Sequence, residues 1–168
     1  MIKKSTLFLK ISVIFIGIPV AIFCILGMID FIKKGPINPD YALILYPMFI
    51  SIYVSAIPFY YALYQTFKLL NYIDENKAFS EVSVFALRKI KSGAFIISLI
   101  FILVMPCFYL FAEKDDAPGV LLINLIIVFA SLFIGFLTLI LQRLLSEAIT
   151  MKQENELTIW GVIYGDNN

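Results

Sequence analysis

Residues 117–142, APGVLLINLIIVFASLFIGFLTLILQ, decide the fold: they carry no Asp, Glu, Lys or Arg. As a helix they reach about 39 Å at 1.5 Å per residue, against about 30 Å of bilayer hydrocarbon. Three more runs share the property, at 11–29, 41–67 and 92–112. A membrane barrel would need alternating segments of about ten residues, whereas these runs are continuous. The whole chain is 61% hydrophobic with a mean hydropathy of +0.95, outside the soluble globular range. The expected fold class is therefore an all-α membrane protein: a four-helix transmembrane bundle in one integral membrane domain, 1–168. Its spans are predicted at 7–29, 41–67, 92–112 and 117–142, with a polar annex at 68–91 and 143–168.

The charges flanking the charge-free runs predict the orientation. Lys3, Lys4, Lys10, Lys68, Lys77, Arg88, Lys89, Lys91, Arg143 and Lys152 fall on one side; only Lys33, Lys34 and Lys114 fall on the other. Basic loops stay inside, so a multi-pass cell-membrane protein with cytoplasmic N- and C-termini is expected. The opening MIKKSTLFLK resembles a signal-peptide n-region. The apolar run after it is too long for an h-region and no A-x-A site follows, so it reads as a retained signal anchor. With net charge +1, no footprint for direct nucleic-acid binding is present.

Catalytic constellations are missing. The chain has no histidine, no nucleophile elbow, no phosphate loop and no metal-ligand cluster. Apart from Lys10, near the polar end of the first, the spans hold no charge, which argues against proton-coupled transport. A non-enzymatic protein without cofactor or metal is expected, with Ser98, Asn124, Thr138 and Gln142 as inter-helix hydrogen-bonders. Cys24 and Cys107 stand at similar depth near the outer face. Two states are open for them: buried thiols, the commoner one within spans, or a disulfide.

Small residues four apart (Gly17 and Ala21, Ser51 and Ser55, Ser131 and Gly135) predict close helix approach in a compact bundle. Span two holds Pro47, Pro58 and six tyrosines. Pro58 should loosen the helix one turn upstream, and Tyr53 is deep enough to need a hydrogen-bond partner. Kink plus interface belt is the plain reading; a ligand pocket around Tyr53 and Pro58 is the alternative. The outer connectors carry turn signals at Gly35-Pro36 and Asn38-Pro39, and a tight acidic turn at 113–119.

The annex has more features. Residues 71–78 read as a turn, with Ser80 as N-cap and Glu81 in the first turn of the next helix. Leu141, Leu144, Leu145 and Ala148 keep helical spacing, so span four should continue as an amphipathic helix to about Gln153. Asn155 then looks like a stop. Residues 157–164, LTIWGVIY, are β-branched and aromatic, which predicts a short C-terminal β-like strand. A lone strand is an aggregation hazard. It should pair with a partner, pair with the 74–79 turn, or lie on the membrane.

The segments IDENKAFSEVSVFALRKI after the second span and LLSEAITMKQENELTI after the fourth resemble a bacterial domain-of-unknown-function family of small four-span membrane proteins. Phe79-Ser80 and the stretch from Glu154 to Ile159 match that family's short motifs. The resemblance implies a partner rather than an activity, since genes of the family are often paired with one for a small Cro-like helix-turn-helix regulator. Asp74, Asn76, Phe79, Ser80, Glu154, Asn155, Glu156, Leu157, Thr158, Ile159 and Trp160 are the candidate partner-binding residues. A membrane-intrinsic immunity, amphiphile-efflux or sensing role is the alternative, and lipid contact and a homo-oligomer are the other candidate associations.

Overall fold

The structure is a computed structural model that describes residues 2–34 and 38–165. Four helices follow one another: α1 (Ile2–Lys34), α2 (Pro39–Asp74), α3 (Glu81–Lys114) and α4 (Pro118–Gly165). All four are long and apolar enough to cross a membrane. The four expected spans each fall on one helix, save Ala117, one residue ahead of α4, and the all-α four-helix bundle stands. The turn signal at Gly35-Pro36 lies outside the described residues, as do the last three residues of the tail.

The helix ends follow from local chemistry. Pro39 and Pro118 open α2 and α4, where a missing N–H costs nothing. Helix α2 ends with Asn76 at φ 58°; the Lys77 N–H bonds the Tyr72 carbonyl and the Asn76 N–H the Ile73 carbonyl. This pair of bonds is the Schellman arrangement, which Asn tolerates better than most residues. Asp116, at φ 49°, ends α3 the same way, with the Ala117 N–H on the Ala112 carbonyl. Ser80 is the N-cap of α3, but its hydroxyl turns back and donates to the Lys77 carbonyl at 2.5 Å.

Among the described residues, α1 packs on α2 alone, α2 on α1 and α3, and α3 on α2 and α4. The bundle is an open row rather than the compact closed arrangement expected. Its buried cluster is made by Ile44 and Met48 of α2, Phe101 and Phe108 of α3 and Val128 of α4. Small residues do mediate close approach. Gly93 lies against the Pro58 backbone, and Gly135 lies under the Phe95 ring.

The α1–α2 seam has a different construction. Every seventh residue of α1, from Lys10 through Gly17 and Cys24 to Phe31, meets every seventh residue of α2, from Phe67 through Tyr60 and Tyr53 to Tyr46. Lys10 lies over the Phe67 ring. The Tyr60 hydroxyl donates to the Gly17 carbonyl and the Tyr53 hydroxyl to the Cys24 carbonyl, each at 3.0 Å. Phe31 meets Tyr46 edge-on at 6.0 Å. Tyr53 thus has the hydrogen-bond partner expected for it, while Tyr60, suited by position to the interface belt, is instead a rung between helices; an exposed helix is held by polar rungs spaced two turns apart.

One expectation fails. Residues 155–164 are not a strand: α4 runs unbroken through them to Gly165, and the described residues contain no strand at all. A strand leaves its backbone groups unpaired unless a neighbour is present. Continuing the helix satisfies them internally, and elongating a formed helix avoids the nucleation cost. Asn155 does not stop it. The Thr158 hydroxyl donates to the Glu154 carbonyl at 2.9 Å, the usual place for a threonine inside a helix.

Candidate functional site

The polar end of the bundle gathers the N-terminus, the α2–α3 hairpin and the end of α4. Asp74, the last residue of α2, is fixed to α1: Lys10 Nζ donates to its carboxylate at 2.5 Å. The Lys10 ammonium and the Thr6 hydroxyl hold the Asp74 carboxyl below its ordinary pKa, with Lys3 adding to the field. Thr6 itself is buried. Asp74 is thus a lock between α1 and α2 rather than an open docking group. Asn76 and Ser80 shape the hairpin through the cap geometry above. The Ser83 hydroxyl also donates to the Lys77 carbonyl, at 3.0 Å. Phe79 is 61% exposed.

Between α3 and α4 lies a groove of about 370 Å³ lined by Glu81, Val84, Phe85, Arg88, Ser146, Ile149, Thr150 and Gln153. Its α3 residues and its α4 residues each repeat at three- and four-residue steps, so one face of each helix forms one wall. Val84, Phe85 and Ile149 supply apolar surface; Ser146, Thr150 and Gln153 supply hydrogen-bonding groups. Sequence reasoning missed this groove. The matching helical faces at 81–88 and 146–153 were the only signal, and the antiparallel register of α3 and α4 was needed to bring them together.

Because Gln153 faces the first turn of α3, everything after it runs past the bundle. Residues 154–165 extend the helix by about 18 Å. Every residue from 151 to 165 is exposed. Glu154, Asn155, Glu156, Leu157, Thr158, Ile159 and Trp160 all lie on this arm, away from Asp74 and Asn76. Leu157 is 72% exposed. The Trp160 and Tyr164 rings stack at 5.4 Å, one turn apart. A helix segment apolar on all sides normally has a neighbour.

The alternative pocket pair is split. Tyr53 faces α1, while the Pro58 carbonyl faces Gly93 of α3. Tyr53 lines a second, apolar crevice of about 310 Å³ with Met28, Phe31, Tyr46, Phe49 and Ile50. Cys24 and Cys107 are free thiols on helices that do not pack together. None of the four polar span residues was found bonded to another helix. Thr138 donates to Ile134 of its own helix, and Ser98 Oγ, both amide atoms of Asn124 and Gln142 Oε1 are buried without a protein partner.

Residues 29–159 match the model of a family described as protein of unknown function (DUF2975), and the chain belongs to that family. It is 51% identical over 158 residues to the uncharacterized membrane protein YoaS of Bacillus subtilis (strain 168), covering 94% of this chain and 99% of that protein. No solved structure matches the chain.

Proposed function

We propose that this membrane protein is a non-enzymatic interaction protein whose C-terminal arm holds a protein partner at the cytoplasmic face. One observation carries the reading: the helical arm of residues 154–165, exposed throughout, ends in apolar and aromatic side chains beyond the bundle. The excess of Lys and Arg at the same end supports a cytoplasmic position for it. Leu157, Trp160, Gly161 and Tyr164 share one helix face, the spacing by which a helix fills a partner's groove. This helical mode replaces the strand addition expected from the sequence. The resemblance to proteins paired with a small Cro-like helix-turn-helix regulator supplies the candidate partner. Sequestration at the membrane would then compete with that regulator's binding to DNA.

Co-purification in mild detergent tests it. The regulator should be recovered with the full chain and lost when 154–168 are deleted. Trp160→Ala should lower affinity about 30-fold, the cost of a hot-spot aromatic. Equal recovery with the deleted chain would sink the proposal.

A second reading rests on the apolar crevice between α1 and α2. Its volume suits a small amphiphile entering from the bilayer, for immunity, efflux or sensing. Tyr53→Phe removes the Tyr53 rung beside that crevice. A strain carrying it and responding to amphiphiles like wild type would count against this reading.

A further inference from the structure

The charge-free runs end in a regular way. At the polar end, the first charge on each helix is a cation: Lys10, Lys68, Lys91 and Arg143. At the opposite end, the first charge beyond each charge-free run is an acid every time: Asp30, Asp40, Glu113 and, in the connector before α4, Asp116. Helix packing brings the four cations into one band at the polar end. Lys10 lies over Phe67, next to Lys68. Gly93 opposite Pro58 and Ala62, and Gly135 opposite Phe95, fix the other two registers. With Arg88 and Lys89, six cations fall in a slice about 9 Å thick at 1.5 Å per residue. The charge-free run of α3 beyond it, 92–112, spans about 32 Å, the thickness of the hydrocarbon core. The slice therefore sits at the depth of lipid phosphates.

Within this collar the cations are not equivalent. Lys10 is paired with Asp74, while Lys68 and Lys89 lie over the Tyr64 and Phe85 rings. Among the described residues, Arg88, Lys91 and Arg143 have no carboxylate within ion-pair distance. Arg88 lines the α3–α4 groove, and Lys91 follows one turn deeper on the same helix. Across from them, Ser146 lines the groove, with Arg143 three residues and Gln142 four residues deeper on α4. Gln142 Oε1 is buried and accepts no hydrogen bond from the protein. The acid of the groove, Glu81, lies two turns from Arg88 at the outer mouth.

We propose that the membrane-side end of this groove binds an anionic phospholipid with a hydroxylated headgroup, such as phosphatidylglycerol. Arg88, Lys91 and Arg143 take the phosphate, and headgroup hydroxyls donate to Gln142 Oε1 and to Ser146. The acyl chains remain in the adjoining bilayer. The site is independent of the partner proposed for the arm.

The test is thermal unfolding of the full chain in detergent, supplemented with phosphatidylglycerol or with phosphatidylcholine of the same acyl chains. Phosphatidylglycerol should raise the midpoint by about 5–10 °C more than phosphatidylcholine when well above its dissociation constant. Arg88→Gln/Lys91→Gln/Arg143→Gln should lose most of that difference. Lys33→Gln/Lys34→Gln, at the other end, should keep it. Equal shifts from both lipids, or an unchanged shift in the triple variant, would overturn the site. A shift reproduced by inorganic phosphate alone would overturn the lipid as its occupant. Should the triple variant fail to fold, native mass spectrometry of the wild-type chain with equimolar lipids decides. About tenfold preferential retention of phosphatidylglycerol is expected, and equal retention refutes the proposal.

Discussion

Replacing Gly93 by leucine should force α2 and α3 apart. A Cβ at Gly93 would stand 3.2 Å from the Pro58 carbonyl oxygen and 3.4 Å from the Ala62 Cβ. The first distance is already tight, and leucine adds carbons beyond it at about 1.5 Å per bond. Neither obstacle is the end of a flexible side chain. Pro58 is backbone whose φ is locked by its ring, so the helices themselves must separate. Overpacking costs about 1–3 kcal/mol, and this geometry places it at the upper end. Leucine's better helix propensity returns just under about 1 kcal/mol. The net loss is about 2 kcal/mol, or about 4–8 °C in the unfolding midpoint for a chain of this size. Gly161→Leu is the matched control. Nothing lies within 4 Å of its Cβ, so only the propensity gain remains. Both variants would be melted in the same detergent and followed by circular dichroism at 222 nm. A Gly93→Leu midpoint equal to wild type would refute the close α2–α3 contact. A Gly161→Leu loss as large as that of Gly93→Leu would show that the arm is packed rather than free.

Three other outcomes follow from the same structure. Trp160 is the chain's single tryptophan, about 27 Å along the helix from Gln142. Brominated lipids in proteoliposomes should leave its fluorescence unchanged while aqueous acrylamide quenches it; strong bromine quenching would mean the arm lies on the bilayer. Asp74 has its carboxyl held below the ordinary 3.8, so its stabilising contribution is complete above that pH and is lost as pH falls through the depressed value. Melting between pH 6 and pH 2.5 should show Asp74→Asn losing less than wild type over the acid limb; parallel profiles would argue against the Lys10 lock. Asn124 is fully buried with both amide atoms unpartnered. Asn124→Leu, close in size, should be neutral or stabilising by about 1–3 kcal/mol, and a loss of that size instead would reveal a bound water or ligand satisfying the amide.

The spans were legible because they depend on one property, the absence of charge over a bilayer's width. The partners of each span were not. In lipid, outward and inward faces are both apolar, so the hydrophobic period that orients a soluble helix is weak. The α1–α2 seam did leave a trace, the seven-residue spacing of Lys10, Gly17, Cys24 and Phe31 against Tyr46, Tyr53, Tyr60 and Phe67. Tyrosines near a span's end also suit the interface belt, and that reading hid the Tyr60 rung; Tyr53, deeper, was legible as needing a partner. Asp74 was singled out for partner binding, but its immediate role is local: it needs Thr6 and Lys10, which the sequence places more than sixty residues away. The groove between α3 and α4 was hidden for the same reason.

The C-terminal arm shows how a correct composition can give the wrong element. Trp160 and Tyr164 are four apart, which puts them on one face of a strand and also on one face of a helix. The same is true of Ile159 and Ile163. A strand and a helix are therefore not separated by these pairs, and β-propensity alone favoured the strand. Context decides otherwise. Residues 155–164 follow a helix that begins at Pro118, so elongation needs no new nucleus. A strand there would need a sheet edge, and the described residues offer none. The consequence reaches function. A strand tail would be an adaptable adhesive, recognised through its backbone. A helix continuous with span four is a lever of fixed direction, which a partner would read through the side chains of one face. Mutating Trp160 and Ile159 separately distinguishes the two modes. They lie on adjacent positions, so a helical interface centred on Leu157, Trp160 and Tyr164 should lose affinity with Trp160→Ala and tolerate Ile159→Ala. A strand bound by its backbone would tolerate both.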